Sequence, residues 1–283
     1  MAQIIDGKKL AIELQNECIR RSEALKASGI VPRLDVVIVG NDPASHQYVN
    51  SRGKDCEAVG IESRVHTLDE GADEAELIRV LDELSADRSV HGILLQLPLP
   101  KHMNTEKVLT HIAPEKDVDG LTVANQGALY AGSGGFAPCT PSSIMHLIKS
   151  TGVSIKGKNA VVVGRSIVVG KPAAMLLLSE HATVTVCHSR TADLAAHTKN
   201  ADIVIAAVGV PELIKGDMLK EGAIVVDAGI NRVDGRTVGD VHFDSAEKVA
   251  GYISPVPGGV GPVTRKILLK NTLSAAEKTD AGE

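Results

Sequence analysis

Short, uninterrupted apolar runs alternate along the chain with stretches whose apolar residues recur every three or four positions. The runs Val36–Val39, Ile93–Leu97, Ala160–Val163, Val184–Cys187, Ile203–Val208 and Ile224–Val226 predict strands. Their apolar residues follow one another instead of alternating with polar ones, as a parallel sheet covered on both faces requires. Ala75–Leu84 and Pro172–Ser179 carry helical spacing between them. This order of strand and helix predicts an α/β fold with doubly wound architecture.

A chain of 283 residues suits two domains. The expected boundary is Pro138-Cys139-Thr140-Pro141, with Thr140 as a helix N-cap, Pro141 at the first helical position and a helix over Ser143–Lys149. Beyond Gly261, the spacing of Val263, Ile267, Leu268 and Leu273 predicts a closing helix that returns to the first domain. Residues 1–139 plus 265–283 would then form an N-terminal α/β domain, and 140–264 a Rossmann-type domain. The polar tail Glu277–Glu283 reads as frayed.

Composition narrows the function classes. Hydrophobic residues make up 43% and charged residues 23%, the balance of a globular protein able to fill two modest cores. A net charge of −5, 2% aromatics and no Trp give neither the basic surface nor the stacking platforms of a nucleic-acid binder. Cys18, Cys56, Cys139 and Cys187 lack zinc spacing and read as free buried thiols in a reducing compartment. The segment Met1–Ala11 lacks the layout of a signal peptide, and no run is long enough to cross a bilayer, so a cytoplasmic location is expected.

Candidate chemistry begins at the strand Ala160–Val163, which leads into Gly164-Arg165-Ser166 and then Gly170-Lys171-Pro172. A glycine turn between a buried strand and a helix lets a pyrophosphate approach the backbone at a helix N-terminus. The pattern is GxSxxxG, not GxGxxG, and alone it also reads as an ordinary strand-to-helix turn. After the next strand, an NAD site would carry an acid for the ribose hydroxyls. Here stand His188-Ser189-Arg190-Thr191, a hydroxyl and a guanidinium suited to the 2′-phosphate of NADP, with Arg165 as a second cation. Taken singly, Arg190 is equally a solvated charge. His188 reads as structural. Asp227-Ala228-Gly229-Ile230-Asn231 follows another buried strand, where Gly229 would admit the nicotinamide and Ile230 cover it, or where the chain simply turns.

A second group of candidates lies outside that domain. Tyr48 and Arg52 stand at i and i+4 on one helical face, a phenol and a cation able to clamp a flat polar ligand. Lys54 lies roughly 120° around the helix from Tyr48. Gln96, between Leu95 and Leu97, is an amide in an apolar strand that needs a partner, either a ligand or nearby backbone. Asp117-Val118-Asp119-Gly120 has too few oxygen ligands for calcium and reads as a turn or as a carboxylate for a heterocycle. No metal is expected. Pro255–Thr264 is too rich in proline and glycine for regular structure, and Pro257, Gly258, Gly259, Val260 and Gly261 would bring bare backbone to a ligand. Pro262 suits the first position of the last helix.

Taken in order with GRSxxVGxP, these segments resemble the bifunctional methylenetetrahydrofolate dehydrogenase/methenyltetrahydrofolate cyclohydrolase family. The likeness runs from Asp6-Gly7 to the final helix, with PEKDVDG and PVPGGVGP its most specific pieces. It implies a cytoplasmic homodimer of one-carbon metabolism serving purine biosynthesis, with folate in the cleft and NADP on the C-terminal domain. It further implies that Tyr48 stacks near the pterin, Gln96 assists the catalytic cation and Asp119 bonds the pterin ring. Leu95, Leu97 and Pro257–Gly261 would line the folate pocket; Gly164, Arg165, Ser166, Ser189, Arg190 and Ile230 would meet NADP. The implied reactions are oxidation of 5,10-methylenetetrahydrofolate, then hydrolysis of the methenyl product to 10-formyltetrahydrofolate.

One departure stands out. The family pattern is Tyr-x-x-x-Lys-x-Lys with the first lysine catalytic, whereas this chain has Arg52 there and keeps only Lys54. Arginine does not release its proton in proteins, so hydride transfer is expected to survive and hydrolysis to be weak or absent. The competing readings are a dehydrogenase of the shikimate or amino-acid type, and an NADP-binding regulatory protein without catalysis.

Overall fold

The computed structural model describes residues 1–281, apart from the side chains of 43–48, 50, 280 and 281. In chain order it holds β1 (Gln3–Ile4), α1 (Gly7–Ala27), β2 (Arg33–Val39), α2 (Pro43–Val59), β3 (Glu62–Leu68), α3 (Glu74–Ala86) and β4 (Gly92–Leu95). Two short helices, α4 (Thr105–Leu109) and α5 (Val123–Ala131), precede α6 (Cys139–Ser150). Then follow β5 (Asn159–Val163), α7 (Gly170–Ser179), β6 (Thr183–Cys187), α8 (Leu194–Thr198), β7 (Ile203–Ala206) and β8 (Ile224–Asp227). The chain ends with β9 (Asn231–Val233), β10 (Arg236–Val238), α9 (Phe243–Ala246), β11 (Tyr252–Ile253) and α10 (Val260–Ala281).

Two compact units result: Met1–Ile12 with Pro138–Thr264, and Glu13–Ala137 with Arg265–Glu283. The first is built on a six-stranded sheet, β1-β11-β8-β7-β5-β6, in which every pairing is parallel. Its central strands β7 and β8 are buried at every position, so their apolar runs are continuous. From β5 the chain steps outward to β6 and then crosses back to β7. That reversal between β5 and β7 is the topological switch point, where the loops leaving two neighbouring strands diverge.

The second unit repeats the logic with three parallel strands ordered β3-β2-β4, reversing between β2 and β4. Its core joins Val37, Ile93 and Leu95 of the sheet to Leu77, Leu81 and Leu84, which recur along one face of α3. Asp73 caps that helix by accepting the Glu76 N–H at 2.7 Å.

Several expectations are corrected. Residues 1–12 belong to the six-stranded unit, because β1 adds in parallel to β11 through Gln3↔Tyr252 and Ile4↔Ile253. Helix α6 opens at Cys139 with Pro138 at the cap, so Thr140 and Pro141 lie inside its first turn. There a proline costs no helical hydrogen bond. Val260 and Gly261 already belong to α10, which leaves Pro262 in its first turn and not at its first position. Strand β4 stops at Leu95, short of Gln96 and Leu97. The described part of the tail is helical and not frayed: α10 continues to Ala281, and Glu277 accepts Arg21 Nε at 2.8 Å and Nη2 at 2.7 Å, while residues 282 and 283 lie outside the described residues.

Candidate active site

In the three-stranded unit, functional groups gather at the carboxyl ends of β2 and β4. The Gln96 N–H continues the ladder to the Val37 carbonyl at 2.8 Å, which fixes the backbone just past β4. Its side-chain amide is then set from both ends: Nε2 donates to the Leu97 carbonyl at 2.8 Å, and Oε1 accepts from Arg52 Nη1 at 3.1 Å. The charged donor strengthens that bond and aims the half-buried guanidinium along the strand end. Leu95 is 4% exposed and spends its side chain on the core, against which Leu97 also packs. Tyr48 lies on α2, but its side chain falls outside the described residues.

Helix α2, which carries Arg52, is tied down by a carboxylate that the sequence reading passes over. Asp55 accepts Arg265 Nε at 2.5 Å and Lys266 Nζ at 2.7 Å, and Arg265 also reaches the Ser51 carbonyl at 3.3 Å. Lys54 is exposed, and two residues correspond to about 200° of helix, so it faces away from Arg52. The helix runs unbroken through Gly53.

Asp119 is half-buried and follows a segment that pairs with β4, Ile93↔Asp117, with the Ile93 N–H on the Lys116 carbonyl at 2.7 Å. The turn itself is organised by Asp117, which accepts from Leu121 N–H (3.1 Å), Thr122 N–H (2.8 Å) and Asn125 Nδ2 (2.9 Å). Of the two carboxylates, Asp117 is therefore committed to structure.

In the six-stranded unit the loops leaving β5, β6 and β8 carry the other candidates. Gly164 has φ +132°, and a β-carbon there would overlap the Ala207 carbonyl oxygen after β7. Only glycine permits this approach at the switch point. Ser166 Oγ accepts the N–H groups of Val169 (3.1 Å) and Gly170 (3.3 Å) and so organises the entry to α7. Beyond β6, Thr191 Oγ1 accepts the His188 N–H at 2.8 Å and His188 Nδ1 accepts the Arg190 N–H at 3.1 Å. His188 thus shapes the turn, leaving Ser189 and Arg190 exposed.

After β8, Asp227 is 3% exposed and accepts N–H groups from Gly229 (2.9 Å), Asp240 (3.0 Å) and Val241 (2.8 Å). Burial pushes its carboxyl up to about 6 against those three donors. Asp240 in turn accepts from Val208 N–H (2.6 Å), Gly209 N–H (3.0 Å) and Asn231 Nδ2 (2.9 Å). These two carboxylates lock the loops after β7 and β8 together and hold Ile230 out, 65% exposed. Asp240 gave no signal in sequence, since its partners are mostly backbone. The Pro257–Gly261 segment follows β11. Gly258 has φ +114°, and Gly7 lies so close to Gly259 that a β-carbon on it would overlap the Gly259 carbonyl oxygen.

The sequence model for the catalytic domain of tetrahydrofolate dehydrogenase/cyclohydrolase matches residues 5–119, and that for its NAD(P)-binding domain matches 138–280. The chain belongs to that family. The bifunctional protein FolD of Moorella thermoacetica is 58% identical over 278 residues, covering 98% of this chain and 99% of that protein. The bifunctional enzyme FolD from Campylobacter jejuni aligns with a TM-score of 0.97 at 46% identity, covering 98% and 99% of the two chains. The Trypanosoma brucei methylenetetrahydrofolate dehydrogenase-cyclohydrolase, solved with NADP cofactor and inhibitor, has a TM-score of 0.93 at 40% identity, covering 99% and 98%. Shikimate 5-dehydrogenase from Thermus thermophilus aligns at a TM-score of 0.52 and 18% identity, a likeness of fold alone.

The carboxyl edge of this dehydrogenase/cyclohydrolase's six-stranded sheet suits a dinucleotide. Gly164 leaves the backbone bare where the loops part, and the exposed Ile167, Val168, Val210 and Ile230 offer apolar surface near it. Arg165 and Arg190 are exposed on the loops that follow β5 and β6. All four cysteines are buried and none is in a disulfide, and burial pushes the Cys18 and Cys56 thiols up to about 11.

Proposed function

We propose that this enzyme oxidises 5,10-methylenetetrahydrofolate to the methenyl form with NADP and hydrolyses that product only slowly. The observation that carries the split is the Arg52–Gln96 bond at 3.1 Å: the cation at the carboxyl end of the small sheet is a guanidinium. When bound, NADP supplies the hydride acceptor. Arg52 keeps its charge throughout and orients the folate, with Gln96 holding the guanidinium and Asp119 bonding the pterin ring. Tyr48 stacks beside it. Oxidation of the methylene carbon asks for positioning more than for proton movement at Arg52. Opening the methenyl product does require protons to be moved as water adds, and a guanidinium, which does not release its proton in proteins, is a poor shuttle. Lys54, exposed on the far side of α2, does not replace it.

Preference for NADP rests on Ser189 and Arg190 at the end of β6, where an NAD site would hold a carboxylate, with Arg165 as a further phosphate cation. Gly164 and Ser166 face the pyrophosphate and Ile230 the nicotinamide in this reading. The same reading makes the enzyme a cytoplasmic homodimer acting on one-carbon derivatives of tetrahydrofolate and serving purine biosynthesis. No helix among the described residues is long and apolar enough to cross a membrane.

The test is a paired assay. Enzyme with NADP is expected to form NADPH while methenyl-folate accumulates, followed by its near-ultraviolet absorbance. Arg52→Lys is expected to raise the hydrolytic rate by about 100-fold, the lower end of what a positioned acid–base group supplies. Rapid hydrolysis by the parent enzyme, far above the buffer rate, would falsify the division of activities.

A further inference from the structure

At the opposite end of the three-stranded sheet lies a second cluster of charged groups that the folate reaction does not use. Arg33 and Glu62 begin β2 and β3, and His91 immediately precedes β4. With Arg64, Arg88 and Ser89 they line a cavity of about 500 Å³. That volume falls in the range of small-molecule sites, about 300–1,000 Å³. Strand β2 separates this end from Gln96 and Arg52 by about 20 Å, seven residues at 3.3 Å each.

His91 is the informative residue. It is 6% exposed, and its Nδ1 accepts the Arg33 N–H at 3.1 Å, which assigns the ring proton to Nε2. Nε2 has no partner among the described residues, yet no fully buried side-chain nitrogen or oxygen is left unpaired. The Nε2–H is therefore not sealed from solvent, and His91 lines the cavity. Burial, with the nearby charges of Lys116 and Arg33, holds the imidazole pKa below its usual range and keeps it neutral at pH 7.

The surrounding groups are donors held in place. Asp35, fully buried, grips Arg33 through two bonds of 2.6 and 2.7 Å and also meets His66 Nε2 at 2.7 Å. Arg33 Nη1 adds Ser89 Oγ at 2.9 Å and Asp87 at 3.4 Å. Among the described residues the one carboxylate on the cavity wall, Glu62, is paired with Arg64 at 2.6 Å. Arg88 is exposed and has no carboxylate partner among the described residues. The wall thus presents a guanidinium and a ring N–H with no acceptor of their own.

We propose that this cavity is a binding site for a small anion bearing phosphate or carboxylate groups, separate from the folate and NADP sites. The anion's oxygens take the His91 Nε2–H and the Arg88 guanidinium, with Arg64 able to turn from Glu62 to join them. Charge-assisted bonds of this kind are the strong ones in such sites. Arg33, its charge met by Asp35, fixes Ser89 and the start of β2 beneath them.

Inorganic phosphate and citrate serve as the two probes, each titrated with NADP saturating so that cationic groups of the cofactor site are occupied. The readout is the ring signal of one of the ten histidines in a ¹H–¹⁵N spectrum, assigned by its absence in His91→Gln. One probe is expected to shift that signal saturably, and Arg88→Ala to weaken its binding about tenfold. Whichever probe saturates at lower concentration identifies phosphate or carboxylate as the preferred head group. Absence of a saturable shift up to about 50 mM, a dissociation constant too weak for a site, overturns the proposal. So does equal affinity in Arg88→Ala and in Arg64→Ala/Arg88→Ala compared with the parent. Arg88 is exposed and unpaired, so its removal leaves the fold intact as a control.

Discussion

Substituting Gly164 by alanine probes the switch point of the six-stranded sheet directly. The new methyl would overlap the Ala207 carbonyl oxygen, stand 2.9 Å from the carbonyl carbon and 3.4 Å from the Ala207 side chain. The obstacle is mainly backbone, so no side-chain rotation relieves it. Adopting φ +132° without glycine's freedom costs about 1–3 kcal/mol. Forcing apart the loops after β5 and β7 adds about 1–3 kcal/mol more, as overpacking does. Together they amount to about 2–6 kcal/mol, which the variant meets by losing stability, by moving the loops, or by both. Urea denaturation of the cofactor-free protein reads the first, and NADPH fluorescence titration the second. The expected result is a loss of at least about 2 kcal/mol and an NADPH affinity at least tenfold lower, since 1.4 kcal/mol already corresponds to tenfold. Hydrolysis of added methenyl-folate without cofactor should change far less. If Gly164→Ala melts and binds NADPH like the parent, the close approach at the switch point is misassigned.

Two further perturbations address the buried carboxylates. Asp55→Ala leaves Lys266, 7% exposed, without its partner and should cost about 3–5 kcal/mol in urea unfolding; a loss under about 1 kcal/mol would show the pair to be incidental. Asp227, raised to about 6, holds its proton to higher pH in the folded chain than in the unfolded one, where its pKa is near 3.9. Stability from this group is therefore greatest below about pH 4 and declines as pH rises to about 6, by about 3 kcal/mol in all. Asp227→Asn should remove that share of the decline between pH 4 and 7, and an unchanged slope would count against the shift.

Much of the fold was legible because buried parallel strands write themselves as apolar runs. Strands β2, β4, β5, β7 and β8 fall on such runs, whereas β6, expected as a buried run over Val184–Cys187, is the alternating edge strand Thr-Val-Thr-Val-Cys, mostly exposed. Strand β3 escaped notice because it is an edge, Glu62-Ser-Arg-Val-His-Thr-Leu68, mostly polar and partly exposed. The β9–β10 hairpin was missed although Asp234-Gly235, both with positive φ, is a strong turn signal. Strands β1 and β11 have only two residues each, too few to form a pattern. At the site, Gly164, Arg52, Gln96 and Asp119 could be picked from motifs. Asp55 and Asp240 could not, because their partners lie 210 residues away in the first case and on other loops in the second. Local spacing carries no trace of such contacts.

Neither compact unit is continuous in the chain. The edge strand at residues 3–4 finds its partner only at 252–253, and the helix residues that grip Asp55 come at 265 and 266. Until residues 252–253 are made, β1 therefore has no strand to pair with and the sheet can hold at most the four strands β8-β7-β5-β6, while the small unit waits longer still for α10. Both units are thus closed by contacts between residues some 210–250 positions apart, the non-local kind that topology makes slow to form.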